Sequence, residues 1–106
     1  MLTKYETEIN NEIVITNLKR LINQTYKLLP NREEGIEWSI PLSTIIEEIA
    51  GMSALFGTEL GPDALSLLSK LEGLKSLDDE DFFSFRRTIF ECLNLMNRVK
   101  DYVELR

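Results

Sequence analysis

Glu34 and Glu37, and ten residues further on the adjacent Glu47 and Glu48, are the side chains of this sequence best spaced to do chemistry together. Carboxylates hold hard divalent cations, and magnesium in particular takes only one or two of them beside water and substrate phosphates. If the segment around Trp38 folds back onto the helix carrying Glu47 and Glu48, the four acids would converge. Little else competes. The chain has no histidine and a single cysteine, Cys92. General acid–base catalysis near neutral pH most often uses histidine, and the common zinc sites need clusters of His and Cys, so both are excluded. Cys92 sits inside an apolar helical pattern with no histidine to make it a thiolate, and is expected to be a small buried hydrophobe. The five glycines are isolated from one another, and none belongs to a phosphate-cradling loop.

The Glu34-x-x-Glu37 pair followed by Glu47 and Glu48 looks like the metal site of all-α nucleotide pyrophosphohydrolases of the MazG type. In that family an E-x-x-E on one helix and an E-x-x-D on the next hold magnesium beside the triphosphate. The resemblance implies, as an alternative function, a metal-dependent nucleotide hydrolase or small-ligand binder using these four glutamates. The chain departs from the pattern in its second half, where Ala50 and Gly51 stand three residues after Glu47 and Glu48. Asp78-x-x-Asp81 has a workable spacing but sits where a helix cap explains it. Helical ribonucleases of the HEPN type place an Arg, a polar residue and a His on a late helix. Arg86-Arg87 is suitably placed, but without histidine an active nuclease of that kind is excluded, as is a ferritin-like di-iron centre.

The net charge of −6 opposes nucleic-acid binding, because phosphate backbones are gripped by clustered Lys and Arg. The 12 basic residues are spread along the chain, with Lys19-Arg20 and Arg86-Arg87 the only adjacent pairs. No run approaches the roughly 18 apolar residues of a membrane span, and no charged segment followed by an apolar one opens the chain. These features read as a cytoplasmic protein in a reducing compartment. At 106 residues and 43% apolar, one domain over residues 1–106 is expected.

Four stretches must position these groups. Val14, Ile15, Leu18, Leu21, Ile22, Thr25, Leu28 and Leu29 lie on one face of a first helix running from about Lys4 to Leu29, where Pro30 is expected to close it. Asn31 to Pro41 reads as a connector with one helical turn capped by Asn31, and Trp38 is expected to pack on the bundle. Leu42, Ile45, Ile46, Ile49, Met52 and Phe56 form the stripe of a second helix beginning around Ser39 to Leu42, with Gly57 as its αL terminator. Pro62 opens a third, shorter helix whose stripe is Ala64, Leu67, Leu68, Leu71 and Leu74. The acids from Asp78 to Asp81 are written as the cap and first turn of a helix and lack the pattern of a calcium loop.

That fourth helix, about Asp79 to Glu104, is expected to be the longest element. Phe82, Phe85, Ile89, Cys92, Met96, Val99 and Val103 recur at alternating spacings of 3 and 4, as in the seam of a coiled coil. Phe83, Phe90, Leu93, Leu95 and Tyr102 lie off the seam, so the helix is apolar around more than half its girth. The expected fold is all-α, an antiparallel four-helix bundle with a long C-terminal helix. The short third helix is expected to leave part of the core of helices one and four open to a partner. No cofactor is expected. The expected function is that of a small acidic protein-interaction module, an adaptor, regulator or inhibitor acting as a homodimer that binds another protein. Its interface is assigned to Phe83, Arg86, Arg87, Phe90, Glu91, Leu95 and Tyr102, with Arg87 and Glu91 setting the register.

Overall fold

The apolar stripes close on one another as four helices. A computed structural model describes residues 4–77 and 81–106. It places α1 at Lys4–Glu33, α2 at Ser39–Met52, α3 at Gly61–Leu74 and α4 at Phe82–Leu105, so that α1, with 30 residues, and not α4, with 24, is the longest described helix. Two 3₁₀ turns, Ser53–Leu55 and Thr58–Leu60, join α2 to α3. No strand forms among the described residues.

Contacts between numbered side chains fix the directions. Arg20 pairs with Glu48 toward the end of α2, while Leu28 and Asn31 lie beside Ile40 and Thr44 at its start, so α1 and α2 run antiparallel. Thr25 meets Met96 and Arg106 meets Asn11, so α1 and α4 do as well. Asp63 faces Arg98 and Lys70 faces Glu91, which sets α3 antiparallel to α4. Each helix packs on its sequence neighbour and α4 returns to α1, giving an elongated antiparallel four-helix bundle of 49 × 21 × 19 Å.

The first helix does not stop at Leu29. It continues through Pro30 to Glu33, although the proline has no amide to donate to the Tyr26 carbonyl and its ring crowds that group, because the turn beyond it finds burial and a cap. The extra turn buries Leu29 and most of Arg32. It ends in a Schellman cap, with Gly35 at φ 75°, its amide donating to the Arg32 carbonyl and the Ile36 amide donating to that of Asn31. Gly35 thus terminates α1, and Asn31 lies inside it without capping a separate turn. In the next turn, Gly57 takes φ 90° and ψ 164°, which is not αL, and α2 has already ended at Met52.

Val14, Leu18, Leu21, Leu28, Leu42, Ile45, Ile49, Leu67, Leu71, Leu74, Phe85, Ile89 and Met96 lie among the members of one connected core. The seam of α4 is covered within the chain from Phe85 onward, with Phe82 half-buried: Phe85, Ile89, Cys92, Met96 and Val99 are fully buried and Val103 is 1% exposed. Among the described residues the core-facing sides of α1 and α4 are covered by α2 and α3. Trp38 packs as expected, edge-on to Phe85 at 5.0 Å.

Candidate functional site

Two helix starts place the acids that the sequence singled out. Asp81 caps α4 by accepting from the Ser84 amide at 3.2 Å. The rest of the acidic run, Asp78 to Glu80, lies outside the described residues. Glu37 does the same work for α2. Its carboxylate accepts from the Ser39 amide at 2.6 Å, the Ser39 hydroxyl and the Ile40 amide at 3.2 Å. Those bonds, the hydroxyl first, hold its carboxyl below the ordinary value.

The four glutamates therefore do not converge. Glu37 stands at the start of α2 and Glu47 and Glu48 toward its end, about 15 Å away along the helix at 1.5 Å per residue. Glu48 is paired with Arg20 at 2.5 Å and Glu47 points to solvent. Among the described residues no three acidic, His or Cys side chains gather in a way that would hold a metal ion. The connector at Trp38 does fold back, but it docks on Phe85 of α4 and not along α2.

Cys92 is fully buried, and burial pushes its thiol up to about 12. It has no thiolate to offer at neutral pH.

The residues assigned to an interface divide between three sides of α4. Phe83 faces outward and is 76% exposed. Phe90 lies nearly in line with Phe83 and, with Arg86, borders α1, the Arg86 guanidinium standing 5.6 Å from the Phe90 ring centroid. With Tyr26, Leu29, Pro30, Glu33 and Phe82 they line a groove of about 470 Å³. Glu91 turns toward α3, where Lys70 donates to it at 2.7 Å and holds its carboxyl below the ordinary value, with Arg87 adding a weaker pull from 3.9 Å. Leu95 is half-buried against the core and serves the fold. Tyr102 is 40% exposed.

Sequence reasoning missed three features of this surface. Tyr26 and Pro30 are brought beside Phe90 because the last turns of α1 pack against the first half of α4. Arg32, 9% exposed, stacks over Phe85 and Trp38, and no periodicity marks an arginine as a core residue. Asp101 and Leu105, both exposed, continue the line of Phe83 and Arg87 to the end of α4. That signal was present as a second spacing of 3 and 4 along the outer face.

No described helix is long and apolar enough to cross a membrane. No protein-family model, curated protein or solved structure matches this chain.

Proposed function

We propose that this bundle is a protein-interaction module that works by binding and not by catalysis, joining a second copy of itself through the outer side of α4 and then engaging another protein as an adaptor, regulator or inhibitor. The observation that carries this reading is the exposure of Phe83, 76%, on a helix whose core-facing side is already satisfied. An aromatic side chain standing in water beside a second exposed aromatic, Phe90, and an arginine has the composition of an interaction hot spot. The groove between Tyr26, Pro30 and Arg86 adjoins that side of α4, with Phe90 on the border between them, and offers a surface for the second protein. A reducing, cytoplasmic setting belongs to the same reading, since Cys92 is the only cysteine and is a buried thiol.

Light scattering coupled to size exclusion, run at several loading concentrations in reducing buffer, tests it. A concentration-dependent dimer is expected, and Phe83→Ser with Phe90→Ser is expected to abolish it while the helical circular dichroism is retained. A wild-type chain that remains monomeric throughout, or a double variant that unfolds, would reject the reading.

A further inference from the structure

We propose that two copies pair antiparallel along α4, about a twofold axis passing beside Asn94. The proposal rests on the self-association just described and adds its register. Positions 83, 87, 90, 94, 98, 101 and 105 follow one another at spacings of 4, 3, 4, 4, 3 and 4, an order that reads the same from either end. At about 100° per residue they fall within roughly 80° of one another, on the side of the helix turned away from the buried seam. All seven are exposed, Phe83 and Leu105 at 76% and 88%. The stripe is about 33 Å long at 1.5 Å per residue.

The residue types are palindromic in their chemistry as well. When a second copy is laid end to end against the first, Phe83 meets Leu105 of the second copy, apolar against apolar. Arg87 meets Asp101, opposite charges. Phe90 meets Arg98, a ring against a guanidinium. Asn94 meets itself, and an amide both donates and accepts. On one flank Arg86 comes near Glu104. A parallel pairing would instead set Arg87 on Arg87, Arg98 on Arg98 and Asp101 on Asp101, which like-charge repulsion disfavours. A lone Asn inside a helix pair is also a device that fixes register and orientation.

Among the described residues, nothing within the chain competes strongly for these charges. Arg87 is 3.9 Å from Glu91, Arg98 is 3.9 Å from Asp63 and Asp101 is 3.3 Å from Lys100, with the side chains of Arg87, Arg98 and Asp101 67%, 71% and 65% exposed. Such pairs contribute little in water. The twofold arrangement is closed, so it yields a dimer and not a growing chain.

Charge reversal with mixing tests the register, with the mass of each full-length variant followed by light scattering. Arg87→Asp places two carboxylates together at both ends of the pair, and Asp101→Arg places two guanidiniums together. Each variant alone is expected to dimerise at least about tenfold more weakly than wild type. In the equimolar mixture, one end of the pair sets the new carboxylate of the first variant against the new guanidinium of the second. The other end keeps the original Arg87 and Asp101 contact. The mixture is therefore expected to recover the wild-type dimer, a result that no effect within one chain can mimic. A wild-type dimer that both single variants retain undiminished, or two monomeric variants that stay monomeric when mixed, would overturn the register and leave self-association standing. A monomeric wild type would remove both.

Discussion

The guanidinium carbon of Arg32 lies 4.2 Å from the centroid of the Phe85 ring and 5.2 Å from that of Trp38. One cation thus ties the last turn of α1 to the connector and to the first turn of α4. Planar guanidinium stacks on rings in a way that an ammonium does not. Arg32→Lys is expected to cost about 1 kcal/mol in urea unfolding. Phe85→Ala, which also empties a fully buried site, is expected to cost about 3–5 kcal/mol.

Thr25 is fully buried on α1, and its hydroxyl donates to the Met96 sulfur at 3.7 Å. A thioether is a weak acceptor, so the burial of this hydroxyl is poorly compensated. Thr25→Val keeps the shape and removes the polar atom. The variant is expected to be as stable as wild type or more stable by about 1 kcal/mol, as read from its thermal midpoint.

Cys92 is protected by the same core. In the folded protein it is expected to resist a thiol reagent at pH 8, and to react at once when the chain is denatured. Its folded value is raised from 9.0 to about 12, so the folded state holds a proton that the unfolded state gives up. The contribution is fully present below pH 9.0 and is lost as the pH climbs from there toward 12. Alkaline unfolding of Cys92→Ala is expected to be less steep in that window than unfolding of wild type.

Glu37 carries the opposite sign. Its carboxyl is lowered from 4.5 in the folded chain, chiefly by the Ser39 hydroxyl and then by the Ser39 and Ile40 amides. The cap is fully formed above pH 4.5 and is lost as the pH falls through the lowered folded value. Glu37→Gln is therefore expected to be less stable than wild type at pH 7. The gap is expected to narrow steadily in acid, as followed by denaturation at stepped pH.

Gly57 and Arg106 are coupled. At φ 90° the glycine occupies backbone space that L side chains rarely adopt, and a Cβ there would stand 3.0 Å from the Arg106 Nη1. That guanidinium donates to the carbonyls of Phe56 at 2.5 Å and Leu55 at 2.9 Å, holding the α2–α3 turn against the end of α4. Gly57→Ala is expected to cost about 1–3 kcal/mol, from strain and from displacing the arginine. Arg106→Ala is expected to cost about 1 kcal/mol. The double variant, compared with both single variants by urea unfolding, is expected to lose less than the sum, because both changes break the same clasp.

The four helices and their buried faces were legible in the amino-acid sequence because helical periodicity is a local property. Ile45, Ile49, Leu67, Leu71, Ile89 and Met96 could be assigned to the core from spacing alone, and Pro62 to the opening of α3, whereas the acidic run marked a helix start without saying that Asp81 is its cap. The seam of α4 and the two exposed aromatics beside it were legible for the same reason. Spacing could not tell whether Pro30 ends a helix, since that depends on whether the turn beyond it finds burial and a cap. It suggested that Glu34, Glu37, Glu47 and Glu48 meet, but proximity in sequence is not proximity in space once α2 stands between them as a straight rod. Only the tertiary structure decided that the α4 seam closes within one chain, that Arg32 belongs under two rings and that Glu91 is held by Lys70. Each of those depends on which helix packs beside which, a matter of long-range burial that no single stretch of sequence encodes.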